Sequence, residues 1–152
     1  MSANIYRRVE QLERRLSNLE RRHQANAVRF RPLEGPITAE ALTEAYGAYT
    51  ARAIVLAAEA FATTPEEVLG KGRHPNITAA RYVAMRVIAD DQRLRPSTVT
   101  IGRIFSGRHH TSVIHALRKV RNNPKLANQA LAIRAQINAE IGRATKHAAT
   151  AA

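Results

Sequence analysis

The densest group of hydrogen-bonding side chains is the run Arg108-His109-His110-Thr111-Ser112, with His115 one turn beyond Thr111. Three histidines this close invite a metal reading, but no pair has the i, i+4 spacing that puts two ligands on one helix face. The stretch from Gly102 to Pro124 also holds no Asp or Glu to complete or orient such a site. No metal, no cofactor and no catalytic group is expected, and the chain is not read as an enzyme. The same residue types suit a different task. Short polar side chains at the start of a helix lie beside free backbone N–H groups and the positive end of the helix dipole, which together favour phosphate. Such a helix end fits a DNA major groove about 12 Å wide, where its side chains meet base edges. Arg118 and Lys119, further along, can reach phosphates; complementing the negative end of the dipole is the plainer role for both.

The charge distribution agrees with a polyanionic partner. Lys and Arg number 24 against 12 Asp and Glu, a formal charge of +12. From Lys71 to Lys125 twelve bases face only Asp90 and Asp91, whereas Leu33 to Gly70 sets Arg52 against six acids. A basic half joined to an acidic half suggests one face meant for a polyanion, though charge alone also fits a solvated surface. Hydrophobic residues reach 45%, enough for a core, while aromatics are 5% and Trp is absent, so an aliphatic, Ala-rich, helical core is expected. The absence of Cys excludes disulfides, thiolate zinc sites and Cys nucleophiles. No apolar run approaches a membrane span and no signal-peptide core follows Met1, so a cytoplasmic, nucleoid-associated protein with no membrane contact is expected.

The elements that must carry these residues can be placed along the chain. Residues 1–25 read as a coiled-coil helix: Ile5, Leu12 and Leu19 take d positions, and Val9, Leu16 and His23 take a positions. Arg8 and Arg15 at g would meet Glu13 and Glu20 at e of a parallel partner, so a homodimer through Ile5, Val9, Leu12, Leu16 and Leu19 is expected. A lone amphipathic helix packed on its own domain is the alternative. Residues 26–37, with Pro32, Gly35 and Pro36, read as a linker. Residues 38–145 form a helical domain, and 146–152 a flexible tail. Within the domain Thr38 caps a helix running to about Phe61 with a break near Gly47. Thr64-Pro65-Glu66-Glu67 is a capping box before a short helix stopped at Gly70. Lys71 to Pro75 is a basic loop. Asn76 is expected to cap a helix to Gln92 or Arg93, with Arg81 and Arg86 projecting away from its apolar stripe. Ser97 caps a short helix to Phe105, Ser106-Gly107 turn, and a helix follows from His110 to Asn122 with Val113, Ile114, Leu117 and Val120 inward. Pro124 opens a last helix to about Ile141. No strand pattern and no repeat is found.

A short helix, a Gly-containing turn and a second helix opening on polar residues is the layout of a helix-turn-helix. Gly107-Arg108-His109-His110-Thr111-Ser112-Val113-Ile114-His115-Ala116 resembles the signature of the C-terminal DNA-binding domain of the bacterial replication initiators. That family's run is Gly-Arg-Asp-His-Ser/Thr-Ser/Thr-Val-Ile/Leu-His-Ala, so only His109 departs from it. Glu66 to Arg73 is similar to the family's short helix and basic loop, Ala80-Arg81-Tyr82-Val83-Ala84-Met85 to its Ala-Arg-x-x-Ala-Met helix, and Ile101-Gly102-Arg103-Ile104-Phe105 to its Ile-Gly-x-x-Phe. The likeness spans roughly Ala51 to Asn122 and excludes the coiled-coil segment. It implies an all-α fold of the Trp-repressor-like helix-turn-helix type.

The resemblance further implies that Arg73 enters the minor groove while His109, His110 and Thr111 read bases in the major groove, Thr111 by its methyl on thymine. Lys71, Arg81, Arg108, Ser112, Arg118 and Lys119 would contact phosphates. An Asp at position 109 would accept from a cytosine amino group, which a His does differently, so an altered or relaxed base preference with retained affinity is expected. The connection at Arg93 to Pro96 is also longer than the family's. The initiator's Gly-x-x-x-x-Gly-Lys-Ser/Thr phosphate loop is missing from the sequence, so a DNA-reading module without the ATPase is expected. Its partners would be double-stranded DNA, a second copy and a replication protein, and its role the regulation of replication initiation or transcription at sites like the initiator's boxes. A protein-interaction adaptor, whose acidic Glu34 to Glu67 half holds a replication or phage protein, and a non-specific nucleoid binder are the competing readings.

Overall fold

The computed structural model of the chain describes residues 2–29 and 33–150. Their regular structure is helical throughout: α1 (Ser2–Arg29), α2 (Ala39–Tyr46), α3 (Ala48–Ala60), α4 (Pro65–Leu69), α5 (Pro75–Ala89), α6 (Thr98–Ile104), α7 (His110–Asn122) and α8 (Pro124–Thr150). The all-α fold read from the sequence is the fold observed. No described helix is long and apolar enough to cross a membrane.

Local chemistry explains most boundaries. Thr38 accepts from the Ala41 N–H and starts α2; α2 and α3 part at Gly47. Thr64 and Glu67 close the expected capping box reciprocally, and Pro65 occupies the first turn of α4. Ser97 Oγ accepts from the Thr100 N–H at 3.1 Å and starts α6. Asn123 Oδ1 accepts from the Lys125 and Leu126 N–H groups ahead of Pro124 and α8.

Four boundaries differ from the sequence reading. Helix α1 continues to Arg29, into the segment expected to be linker, while Pro32 and the side chain of His23 lie outside the described residues. Helix α5 begins at Pro75 rather than after Asn76, because proline at the first turn already has the helical φ and lacks the N–H that a cap would satisfy. It ends at Ala89, where Asp90 closes the last turn and Asp91 Oδ1 accepts from the Arg93 N–H at 3.0 Å. Helix α8 runs past Ile141 to Thr150, so most of the segment expected to be a tail is helical; its alanines sustain helix beyond the packed part.

The core is centred on α5, which packs against α3, α4, α6, α7 and α8. Ala80, Val83, Ala84, Met85, Val87 and Ile88 of α5 are all buried. Small and branched side chains dominate, as the composition requires, yet Tyr46 and Phe105 are the largest fully buried side chains and Tyr49 donates to the Val87 carbonyl at 3.0 Å. Arg52 of α3 grips Glu140 of α8 with two hydrogen bonds of 2.9 and 3.0 Å, fixing the last helix to the domain. On α1, by contrast, Ile5, Val9, Leu12, Leu16 and Leu19 are exposed by 46 to 63%, so the apolar stripe is left uncovered by the described residues.

Candidate nucleic-acid interface

Helices α6 and α7 are set against each other by backbone contact as well as by side chains. The Arg108 N–H donates to the Gly102 carbonyl at 2.8 Å, and a Cβ at position 102 would lie 2.1 Å from the Arg108 carbonyl oxygen. Only glycine permits that approach, which accounts for the glycine of the Ile-Gly-x-x-Phe motif. Ser106 and Gly107, both at positive φ (61° and 68°), make the turn between the helices. Ile101, Ile104, Phe105, Val113, Ala116 and Val120 join the buried core. Ile114 was expected inward but is 41% exposed, because the buried line through Val113, Ala116 and Val120 leaves it one side-step around the helix.

The amino end of α7 therefore stands clear of the core. His109, His110, Thr111 and Ser112 are all exposed. His109 is itself the N-cap: its Nδ1 accepts from the Thr111 N–H at 3.3 Å and lies 2.8 Å from Thr111 Oγ1. Its ring stacks on His110 with centroids 4.1 Å apart and a tilt of 37°. Histidine is not among the favoured cap residues, so no sequence signal marks this role.

The basic loop is held to the same region from two sides. Arg81 of α5, expected to contact phosphates, is instead 3% exposed and holds the fold together. Its guanidinium donates to the carbonyls of Glu67 (3.0 Å), Val68 (2.8 Å) and Gly72 (2.9 Å), closing the end of α4 and the start of the loop. Burial, and then the nearby Arg108, push its pKa down to about 10, so it stays charged at neutral pH. Arg108 donates to the Gly70 carbonyl at 3.1 Å and Ser106 Oγ to the Leu69 carbonyl. The turn before α7 and the loop after α4 thus share one set of backbone carbonyls, and Arg108, half-buried, has one amino group committed there.

Outside this clamp the cations are exposed. Lys71 and Arg73 on the loop and Arg118 and Lys119 on α7 are all solvent-facing, and none of them is ion-paired among the described residues. Arg73, Tyr82, His115, Arg118 and Lys119 line one open groove of about 750 Å³. A smaller hollow of about 280 Å³ continues it past Tyr82 and His115 to Arg108, Thr111 and Ser112. The loop arginine and the polar end of α7 therefore border one continuous surface. Tyr82 was missed by sequence reasoning, as it falls at an unspecified place in the Ala-Arg-x-x-Ala-Met block. Its ring meets that of His115 edge-on, with centroids 6.0 Å apart at 82°, and so joins the α5 and α7 walls. His115, left between the helix edge and the DNA face by the sequence, lines both hollows.

Comparison with known proteins bears on the same segment. Residues 52–120 match the family model described as the bacterial dnaA protein helix-turn-helix. Among curated relatives, the chromosomal replication initiator protein DnaA of Thermus thermophilus is 38% identical over 63 residues, 41% of this chain and 14% of that protein. The protein of the same name from Bifidobacterium animalis subsp. lactis is 37% identical over 67 residues, covering 44% of this chain and 11% of its own length. That of Thermomicrobium roseum is 33% identical over 93 residues, covering 57% and 20%. The chain thus spans a fifth or less of these initiators. The matched residues run from α3 to the last turn of α7 and contain the loop, the clamp and the turn described above. Over residues 52–120 this chain is thus similar to the helix-turn-helix of the bacterial DnaA proteins, within an all-helical fold.

Proposed function

We propose that the protein binds double-stranded DNA with sequence preference and regulates replication initiation or transcription at sites resembling DnaA boxes on the bacterial nucleoid. The amino end of α7 enters the major groove, where His109, His110 and Thr111 meet base edges, and Arg73 enters the neighbouring minor groove. Lys71, Ser112, Arg118 and Lys119 contact phosphates, with Arg108 contributing what its hold on Gly70 leaves free. The observation that carries this reading is that Arg73 and the exposed α7 end border two adjoining hollows, while the loop bearing Arg73 and the turn before α7 are held together by the Arg81 and Arg108 bonds to carbonyls of residues 67–72.

Two copies pair through α1. The support is an exposed stripe, Ile5, Val9, Leu12, Leu16 and Leu19, flanked by Arg8 and Arg15 on one side and Glu13 and Glu20 on the other. Pairing two domains raises avidity without adding base contacts. Leu12→Asp with Leu16→Asp places like charges in that seam and is expected to leave a monomer by sedimentation velocity; an unchanged mass would show that α1 is not the interface.

Selection from random duplex at physiological salt tests the function. Enrichment of one motif, lost in Arg73→Ala with Thr111→Ala, is expected. Binding that is equal on selected and scrambled duplex would assign a non-specific role instead.

A further inference from the structure

The cap on α7 fixes more than where the helix starts. A neutral imidazole has one N–H donor and one bare acceptor nitrogen. Nδ1 of His109 faces the Thr111 N–H at 3.3 Å and the Thr111 hydroxyl at 2.8 Å. The backbone N–H can only donate, so Nδ1 must be the bare acceptor and the proton must sit on Nε2. Stacking on His110 at 4.1 Å holds the ring in that setting. The exposed imidazole edge then offers a donor and has no acceptor left to offer.

From this we propose that His109 acts in base selection as a pure donor, and that the protein prefers guanine and rejects cytosine at the position His109 faces. The proposal rests on the duplex-binding reading above and goes further by naming the base. In the major groove guanine presents two adjacent acceptors, N7 and O6. Adenine presents one acceptor beside an amino donor, and thymine one acceptor beside a methyl. Cytosine presents only the N4 amino donor, which meets the Nε2–H donor to donor. Guanine ranks first and cytosine last. An aspartate at the same place accepts only, and so carries the opposite preference. The one departure from the Gly-Arg-Asp-His pattern thus inverts the hydrogen-bond sign at one base rather than merely relaxing it.

The test compares ratios, so a general change in affinity does not confuse it. The wild-type motif is first selected from random duplex. Competition binding at fixed salt then uses four duplexes that differ at a single base pair, for each position under the α7 end. The proteins are wild type, His109→Asp and His109→Asn; Asp and Asn are favoured N-caps, so α7 keeps its start. One position is expected to favour guanine over cytosine about tenfold in wild type, the scale of one good base contact. The order reverses in His109→Asp, and His109→Asn, carrying both a donor and an acceptor, shifts toward adenine. In the free protein, ¹⁵N imidazole shifts are expected to report the Nε2–H form. Sequence-selective binding with no position that responds to His109→Asp, a wild-type preference for cytosine there, or an Nδ1–H imidazole would overturn this proposal alone. Absence of any duplex binding would overturn the reading beneath it, and the proposal with it.

Discussion

Arg81 illustrates how a residue type can be right and its task wrong. An arginine in a basic segment of a DNA-binding fold reads as a phosphate contact, and periodicity on α5 put it outside the apolar stripe. In the fold it is buried, and three carbonyls, two in α4 and one in the loop after it, take its donors. Those carbonyls belong to residues 67–72, whose position in space no sequence pattern reveals. Arg81→Met is expected to cost about 2–3 kcal/mol in urea unfolding, because buried carbonyls lose charged donors. Arg81→Lys is expected to lose most of that as well, since one ammonium cannot span three separated acceptors. A phosphate-contacting arginine would behave differently: lysine would preserve both stability and most duplex affinity.

At the scale of elements, Thr38, Thr64, Ser97 and Pro124 made the starts of α2, α4, α6 and α8 legible, whereas the Asn123 cap and the start of α5 at Pro75 were not read. Helix ends were less so: α1 and α8 continue on propensity where no strong stop signal exists, and α5 stops early where Asp90 and Asp91 redirect the chain. The closeness of α6 to the α7 turn was signalled only by the motif glycine. Gly102→Ala forces a methyl to within 2.1 Å of the Arg108 carbonyl, so the turn must move. A loss of about 1–3 kcal/mol in thermal or urea unfolding is expected, with weaker duplex binding because the start of α7 moves with the turn. Unchanged stability and binding in that variant would mean that α6 and the turn are not in contact.

The ion pair that docks α8 was invisible in the sequence, since Arg52 and Glu140 are 88 residues apart. The hydrogen bonds from Arg52 hold the Glu140 carboxyl below its ordinary pKa. A carboxylate lowered in this way stabilises the fold above its unfolded pKa, and that contribution fades as pH falls through its folded value. Glu140→Gln is expected to cost about 0.5–1 kcal/mol near pH 7, a modest figure because both side chains are about a third exposed. The gap between variant and wild type should close as pH falls through the acidic carboxylate range, read by urea unfolding at a series of pH values. A gap that stays constant with pH would remove Glu140 ionisation from the account.

For the whole molecule, the asymmetry of charge along the chain pointed to a polyanion, and the fold converts that linear bias into a surface. Lys71 and Arg73 precede α7 by about forty residues in sequence, yet Arg73 lines a groove with His115, Arg118 and Lys119. The motifs singled out the candidate residues; only packing through α5 tells that Arg73 shares a face with His115, Arg118 and Lys119. The partnership of Tyr82 with His115 and the cap made by His109 emerge only in the fold, because neither follows a period or a propensity rule.

The central claim is that this face straddles the duplex, with α7 in one groove and Arg73 in the next. Dimethyl sulfate protection measures it directly, since the reagent marks guanine N7 in the major groove and adenine N3 in the minor groove of a single bound site. Protection at both, on adjacent steps, is predicted for the wild-type protein, with Arg73→Ala losing the adenine N3 protection and Thr111→Ala weakening the guanine N7 protection. Protection confined to one groove by the wild-type protein would contradict the account.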